Sequence, residues 1–275
     1  MARWAKVKIG NLAAWRVEGW DDFGFSAQFV TRRGGVSERA FASLNPAAGL
    51  GDDSDRVREN RNLVAQLLPG GAREVQILRQ VHGTTCHVIG DRPLGKTSLG
   101  WWLGPEGDAL IGENPAITLA TFHADCLPVY VIDPSTGCRA LIHAGWRGLL
   151  AGVIQNSVDR LLKCGGGSPH DLHAALGPSI ERDAYEVGPE VLRELAGASF
   201  PWRETVYPGR RGRGRFDLAR AAAMILRHLG LPRGNLVTDS PGTFAKAGDF
   251  YSYRRDGATG RCVALLSSLA GSTEE

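Results

Sequence analysis

Short apolar runs recur along the whole chain, and their length is the feature that most constrains the fold. They lie near residues 25–31, 75–79, 84–89, 116–122, 127–132, 139–143, 172–177, 235–238 and 262–267. Runs of this length that alternate with polar residues, or lie between turn-forming residues, are typical of β-strands. The sequence therefore predicts sheets built from many short strands.

Four other segments carry apolar residues at helical spacing. The first extends from Ser54 to Leu68, the second from about Gly148 to Lys163, and the fourth from Asp217 to Gly230. The third begins near Pro189. Proline suits a first helical position, and aspartate suits an N-cap. Strands and helices mix throughout, which predicts an α/β mixed (α+β) domain with helices packed on a mixed sheet. No internal repeat or long linker interrupts the chain, so one domain over residues 1–275 is predicted.

The composition is that of an ordinary globular protein. The chain has 275 residues, of which 43% are hydrophobic, and a formal net charge of +3, which is too weak to indicate nucleic-acid binding. Five irregularly spaced cysteines without a CxxC pair argue against a disulfide framework and favour a reducing compartment. No signal peptide and no stretch of roughly 18 apolar residues is found, so a cytoplasmic protein without membrane contact is predicted.

Three short motifs carry residues that can perform chemistry. They are Gln80–Gly83, His123–Cys126 and His143–Gly148, and they contribute His82, Cys126 and His143. Two imidazoles and a thiol that converge could bind zinc and leave one coordination position open, as in catalytic zinc sites. The same cysteine and histidine could instead form a nucleophile and its base. The spacing of the three residues matches no zinc finger, so both interpretations stay open.

Neighbouring residues are further candidates. His123 could be a fourth ligand or a substrate contact. Asp125 could orient a histidine, transfer a proton, or serve only in a turn. Arg147, near a predicted helix start, could bind an anion such as phosphate. Arg32 and Arg33 lie beside flexible glycines and form either an anion-binding loop or a solvated hairpin turn.

The three motifs resemble those of the laccase-domain polyphenol oxidases, a family also called peptidoglycan editing factors. Further segments agree with the family in the same order: Thr31–Ser37, Ser43–Asn45, Gly51–Asp53, Glu59–Arg61, Tyr185–Gly188 and Tyr251–Arg261. The resemblance covers roughly residues 23–268. Several independent motifs in one order make it specific.

The resemblance implies a fold and a metal site. Family members are similar in fold to cysteine-hydrolase-like toxins and form a single three-layer α-β-α domain. The family's zinc ligands correspond to His82, Cys126 and His143. The catalytic residues are expected to be Asp125, His123 and Arg147, and the residues that bind substrate or phosphate are expected to be Arg32, Arg33, Asn45, Arg147 and Arg254.

The resemblance also implies several activities. They are phosphorolysis of adenosine, inosine and methylthioadenosine, adenosine deamination, and copper-dependent oxidation of phenols; bacterial members are also linked to correction of peptidoglycan precursors. The chain lacks the family's Cys-Cys pair before Tyr185 and has Ser240-Pro241 where Cys-Thr is usual, so copper is less well supported than zinc.

The leading hypothesis is a zinc-dependent purine nucleoside phosphorylase with adenosine deaminase activity, whose partners are purine nucleosides and phosphate. The alternatives are an amide or peptide hydrolase with Cys126 as nucleophile, a copper-dependent polyphenol oxidase, and a metal-binding partner protein without enzymatic activity. A monomer or a homodimer is expected.

Overall fold

The computed structural model describes residues 2–68, 74–198 and 200–269. Within these ranges the chain forms seventeen strands: β1 (Arg3–Ile9), β2 (Leu12–Glu18), β3 (Phe25–Val30), β4 (Glu74–Arg79), β5 (Cys86–Ile89), β6 (Lys96–Ser98), β7 (Trp101–Glu106), β8 (Ala109–Gly112), β9 (Ile117–His123), β10 (Leu127–Ile132), β11 (Arg139–Ala144), β12 (His173–Leu176), β13 (Glu186–Val187), β14 (Val206–Pro208), β15 (Gly214–Phe216), β16 (Leu236–Val237) and β17 (Cys262–Ser268). The α-helices of the same ranges are α1 (Ser54–Ala65), α2 (Trp146–Ala151), α3 (Val153–Gly165), α4 (Pro189–Ala196), α5 (Leu218–His228) and α6 (Tyr253–Asp256).

The strands form two large sheets and a small one. The eight-stranded sheet has the order β1-β2-β3-β17-β9-β4-β7-β6, and the six-stranded sheet has the order β16-β12-β10-β11-β8-β5. Both sheets are mixed, because β4 pairs in parallel with β7 and β9, and β5 pairs in parallel with β8. The strand nearest the C-terminus, β17, lies in the middle of the first sheet between β3 and β9. The predicted class, with helices on mixed sheets, is confirmed.

The two large sheets pack face to face between layers of helix. Phe29 and Leu119 of the eight-stranded sheet join Tyr130 and Leu141 of the six-stranded sheet in one buried apolar cluster. Helices α3, α4 and α5 cover the other face of the six-stranded sheet, and α1 covers the other face of the eight-stranded sheet. The β layer of the predicted α-β-α order therefore consists of two packed sheets.

Strand β10 shows why the sheets can be buried on both faces. All six of its residues are buried. Side chains alternate along a strand, so Val129 and Val131 contact the helical layer while Tyr130 and Ile132 contact the other sheet. A strand covered on both sides appears in the sequence as a continuous apolar run, as this one does.

The four predicted helical segments are confirmed with two corrections, of which the first is that α1 ends at Ala65 and not at Leu68. Asp217 caps α5 by accepting a hydrogen bond from the backbone N–H of Arg220, and Pro189 begins α4. The single helix predicted over about 148–163 is wrong, because the structure has α2 and α3 there. Gly152 separates them with φ +95, a left-handed conformation that ends α2 and is easily adopted by glycine. The N-terminal hairpin of β1 and β2 was not predicted.

Two other expectations concern the chain as a whole. The described residues contain no helix that is both long and apolar enough to cross a membrane. The assignment of residues 1–275 to one domain stays a prediction, and Met1 and residues 69–73, 199 and 270–275 lie outside the described residues.

Candidate metal centre

The three predicted ligands meet where the chain crosses from one large sheet to the other. Cys126 lies in the short connection between β9 of the first sheet and β10 of the second. His143 lies in β11 and pairs in register with Pro128 of β10. His82 lies in the loop after β4 and has φ 61. A left-handed conformation is uncommon for histidine, and such conformations concentrate at functional sites.

The donor atoms are close enough to share one metal ion. One ligand atom from each of His82, Cys126 and His143 lies within 4.8 Å of the other two, and Cys126 Sγ lies 3.8 Å from His82 Nε2. Zinc bonds of about 2.3 Å to sulfur and about 2.0 Å to nitrogen, at tetrahedral angles, separate these donors by about 3.6 Å. Two imidazoles and a thiolate are also a donor set that zinc prefers. The described residues therefore fit a three-ligand metal site.

A buried carboxylate fixes two of these ligands. Asp108 is fully buried and accepts a 2.8 Å hydrogen bond from His143 Nδ1, which leaves Nε2 of that ring as the atom that can bind a metal once its proton is lost. It also accepts hydrogen bonds from the backbone N–H groups of His82, at 3.0 Å, and of Gly83, at 2.6 Å. A carboxylate behind a ligating histidine fixes its tautomer and orientation. Sequence reasoning considered Asp125 for this role and missed Asp108, which no motif marks.

The electrostatics of the cluster favour a thiolate. Burial alone would raise the pKa of the Cys126 thiol, but His143 and His82 lower it to about 6. Burial would likewise lower the pKa of His143, whereas Cys126 and Asp108 raise it to about 9. The metal-free cluster thus favours a thiolate beside an imidazolium. A thiolate can bind a metal or act as a nucleophile.

Replacement of Asp108 by asparagine should weaken metal binding without removing a ligand. Asparagine has the same size, but it lacks the charge that orients His143, so we expect metal affinity to fall by about 10- to 100-fold. Competition with a chromophoric chelator measures the affinity. Glu106→Gln is the matched control, because Glu106 lies two residues before Asp108 and its side chain is exposed. This variant should leave the metal affinity unchanged. Equal affinities for Asp108→Asn and the unmodified protein would contradict the assigned role.

His123 and Asp125 lie beside the cluster, but their polar atoms contact the protein. The buried His123 ring donates from Nδ1 to the Cys126 carbonyl oxygen at 3.0 Å and accepts at Nε2 from the Thr121 hydroxyl at 2.7 Å. Burial, followed by the charge of His143, lowers the pKa of His123 well below its usual value, so the ring is neutral. Both ring nitrogens are therefore in use within the fold, which favours a positioning role for His123.

Asp125 has a comparable arrangement. Its carboxylate accepts a 2.7 Å hydrogen bond from the Thr243 hydroxyl and another of 2.7 Å from the backbone N–H of Arg254, in α6. Its backbone is left-handed, with φ 93. These bonds join the connection that carries Cys126 to α6. Proton transfer by His123 or Asp125 stays a prediction.

The predicted phosphate-binding residues occupy three different places. Arg32 and Arg33 line a shallow pocket of their own, where Arg32 donates to the Ala42 carbonyl and Arg33 pairs with Asp249 at 2.9 Å. Asn45 is fully buried, and its amide nitrogen donates to Asp52 at 2.8 Å. These three residues do not line the cavity described below.

Arg147 and Arg254 lie nearer to the cluster. Arg147 is exposed and stacks on Trp146, with its guanidinium carbon 4.4 Å from the ring centroid. Arg254 donates to the Glu186 carbonyl at 2.7 Å and lies over the Tyr185 ring. Burial, followed by the charge of Cys126, raises the pKa of Tyr185, and the charges of Arg254 and Arg147 oppose that shift. Sequence reasoning gave no role to Tyr185, over which Arg254 lies.

A cavity of about 650 Å³ opens at the group formed by His82, Cys126 and His143. All three ligands line it, together with apolar side chains such as Ile77, Leu103 and Phe122. Its walls also include Arg61, Arg261 and the exposed ring of Tyr253, which sequence reasoning did not assign to the site. Arg61 and Tyr253 lie in segments that support the family resemblance, and this position was the only sequence feature that could have assigned them to the site.

A mixed-sheet α+β protein with a His–Cys–His group open to a cavity is, by fold and site, a candidate metalloenzyme. The chain belongs to the family described as multi-copper polyphenol oxidoreductase laccase, whose model matches residues 26–268. The family resemblance inferred from the motifs is confirmed.

Relatives of known name are similar over most of their length. A purine nucleoside phosphorylase of Deinococcus radiodurans is 38% identical over 239 residues, which are 86% of this chain and 87% of the relative. A purine nucleoside phosphorylase of Bacteroides thetaiotaomicron is 35% identical over 230 residues, which are 83% and 85% of the two chains.

Solved structures agree with the fold. The hypothetical protein YfiH of Bacillus licheniformis superposes with a TM-score of 0.87 at 28% identity and covers 95% of this chain and 97% of its own. YlmD of Geobacillus stearothermophilus has a TM-score of 0.82 at 29% identity, with 96% and 98% of the two chains covered.

Proposed function

We propose that the chain is a zinc-dependent purine nucleoside phosphorylase that acts on adenosine, inosine and methylthioadenosine and also deaminates adenosine. The observation that carries the proposal is the His–Cys–His group opening into a cavity of about 650 Å³, in a chain whose relatives are named purine nucleoside phosphorylase. A cavity of this volume is in the usual range for small-molecule sites and accommodates a nucleoside with phosphate.

His82, Cys126 and His143 would hold the zinc, with Asp108 fixing the orientation of His143. When bound, Zn²⁺ in such a site supplies a Lewis acid that stabilises developing negative charge. The apolar walls formed by Ile77, Leu103 and Phe122 would contact the purine and exclude water from it. Phosphate would be held by arginine, and the departing base would receive a proton from a neighbouring group, for which Asp125 and His123 remain the predicted candidates.

The cellular setting belongs to the same proposal. The substrates are small polar metabolites and all five cysteines are free, which supports a cytoplasmic location. A monomer or homodimer remains the prediction for the assembly, and neither nucleic acid nor membrane is expected as a partner.

A second candidate is an amide or peptide hydrolase with Cys126 as nucleophile and His143 as base. The observation that favours it is the pair itself, because His143 and His82 lower the pKa of Cys126 to about 6 against the effect of burial. The peptidoglycan-editing role would follow from this chemistry. The convergence of a third donor, His82, supports the metal site instead.

The copper-dependent oxidation of phenols and a purely metal-binding role are the other candidates. Sulfur and imidazole donors bind copper as well as zinc, which keeps the oxidase in consideration. An open side facing a cavity is typical of catalytic sites and argues against a structural metal alone.

The test is metal analysis of protein purified without added metal, combined with an assay of inosine and phosphate. We expect about one zinc per chain and conversion of inosine to hypoxanthine and ribose 1-phosphate only when phosphate is present. A chelator should abolish product formation, and added zinc should restore it. Product formation that survives complete metal removal would refute the metal-dependent reaction.

A further inference from the structure

We infer that inorganic phosphate binds in the cavity between Arg61 and Arg261, rather than at the arginines that the sequence indicated; this inference rests on the proposed function. The positive charge of the cavity walls supports this inference. Three arginines, Arg61, Arg79 and Arg261, line the cavity, and none of the described residues that line it is an aspartate or glutamate. A neutral nucleoside does not require so much positive charge, whereas a phosphate does.

Arg61 carries the most deeply buried of these three positive charges. It lies in α1 and is only 2% exposed. Nε donates to the Pro46 carbonyl at 2.8 Å and Nη1 donates to the Ser98 carbonyl at 2.6 Å, while the guanidinium lies over the Trp101 ring. These contacts fix its position and leave Nη2 without a hydrogen-bond partner among the described residues.

No anion in the described part of the chain balances the Arg61 charge. Burial lowers the pKa of Arg61 to about 10, with no acidic residue raising it. A buried charge is costly unless it is paired, so an unbalanced guanidinium facing a cavity indicates an anionic ligand. Arg79, in contrast, is exposed and lies 3.6 Å from Glu106, so it has an acidic neighbour.

Arg261 places the second guanidinium on the metal side of the cavity. Its backbone N–H donates to Asn45 Oδ1 at 3.0 Å, and Nη1 donates to the Thr259 and Gly260 carbonyls. Burial lowers the pKa of Arg261, and the charges of Cys126 and Asp125 oppose that shift. Arg261 lines the same cavity as Cys126, and the residue after it, Cys262, pairs in register with His123 of β9, so Arg261 lies on the side of the ligand group.

Phosphate suits this pair of arginines. Its oxygens accept hydrogen bonds from several donors at once, so Nη2 of Arg61 and the guanidinium of Arg261 can donate to one phosphate. The arginines that the sequence indicated have other surroundings: Arg147 is exposed on Trp146, and Arg254 is bonded to a carbonyl on the Tyr185 side. The buried Asn45 would then act through the backbone of Arg261, as a positioning residue.

The experiment measures phosphate binding directly and then in turnover. Inorganic phosphate is titrated calorimetrically into the zinc-loaded protein and into Arg61→Gln, Arg261→Gln, Arg147→Gln and Arg58→Gln. Arg58 lies one turn before Arg61 in α1, is exposed and provides the matched control. We expect phosphate affinity to fall at least tenfold in Arg61→Gln and Arg261→Gln, and to change by less than about twofold in the other two. The KM for phosphate should rise in parallel, and the KM for inosine should change by less than about twofold.

Several outcomes would overturn the inference. They are an unchanged phosphate affinity in both Arg61→Gln and Arg261→Gln, an equal loss in Arg147→Gln, or binding of a phosphate monoester without binding of inorganic phosphate. Thermal unfolding checks that each variant is folded, and the half-buried Arg261 keeps the test decisive if Arg61→Gln does not fold. Because the titration needs no turnover, loss of phosphate binding in the variants of a protein that shows no phosphorolysis would refute the proposed function while supporting the anion site.

Discussion

Replacement of Cys126 by alanine is expected to remove bound zinc and phosphorolysis together. The substitution deletes one of three donors, and two imidazoles alone bind zinc far more weakly than a set that includes a thiolate. We expect the zinc content to fall from about one per chain to below about 0.1, and product formation to fall at least about 1000-fold. Atomic absorption measures the metal, and the inosine–phosphate assay measures the activity.

A matched control and a second variant separate a ligand from a nucleophile. Cys164→Ala changes a half-buried cysteine of α3 that lies outside the ligand group, and it should retain both metal and activity. Cys126→Asp replaces the thiolate with a carboxylate that can still bind zinc. We expect it to recover part of the zinc and a measurable part of the activity. Zinc-free Cys126→Ala that remained active would contradict both roles of Cys126. Zinc-loaded Cys126→Asp that was fully inactive, while wild-type activity resisted chelation, would favour the nucleophile instead.

The convergence of His82, Cys126 and His143 could be anticipated from sequence because each of them lies in a short local motif, whereas their role as ligands was implied by the family resemblance and stays a prediction. His82 and His143 each precede a glycine or lie close to one, and Cys126 follows a strand-ending turn. The structure brings the three side chains together. The turns that display them are encoded by neighbouring residues, so a pattern of a few residues was sufficient.

The residues that support the ligands could not be predicted in this way. Asp108 is 35 residues from His143 along the chain, and their hydrogen bond depends on the pairing of β8 with β11 and on the course of the loop after β4. Arg61 enters the cavity only because α1 packs on the eight-stranded sheet. These positions follow from tertiary packing, which no short pattern specifies.

The division of strands between two sheets has the same explanation. The continuous apolar run of β10 is predicted correctly as a strand, but burial on both faces looks the same whether helices or a second sheet provide the cover. The hairpin of β1 and β2 was missed although Lys6 and Lys8 alternate with Val7 and Ile9, a pattern that is typical of a strand. Gly152 illustrates a third limit, since a glycine within a helical pattern can either continue a helix or end it.

Replacement of Gly145 by alanine should disrupt the metal centre with little effect on the fold. A Cβ at this position would lie 2.8 Å from His82 Cδ2 and 3.1 Å from Cys126 Sγ, so at least one ligand must move. Gly145 precedes α2 with φ −74, a conformation that alanine adopts without strain. We expect zinc affinity to fall at least about 100-fold, because displacement of a ligand by a few tenths of an ångström breaks the tetrahedral arrangement.

Gly234→Ala is the matched control, because a Cβ there has no heavy atom of the described residues within 4 Å, apart from its neighbours along the chain. Both variants should unfold at nearly the same temperature when metal-free, whereas only Gly234→Ala should gain stability on addition of zinc. The gain follows from selective binding of zinc to the folded state. Equal stabilisation of the two variants by zinc would show that the ligands do not meet beside Gly145. A lower unfolding temperature of metal-free Gly145→Ala would instead assign the effect to packing, since the metal would play no part in it.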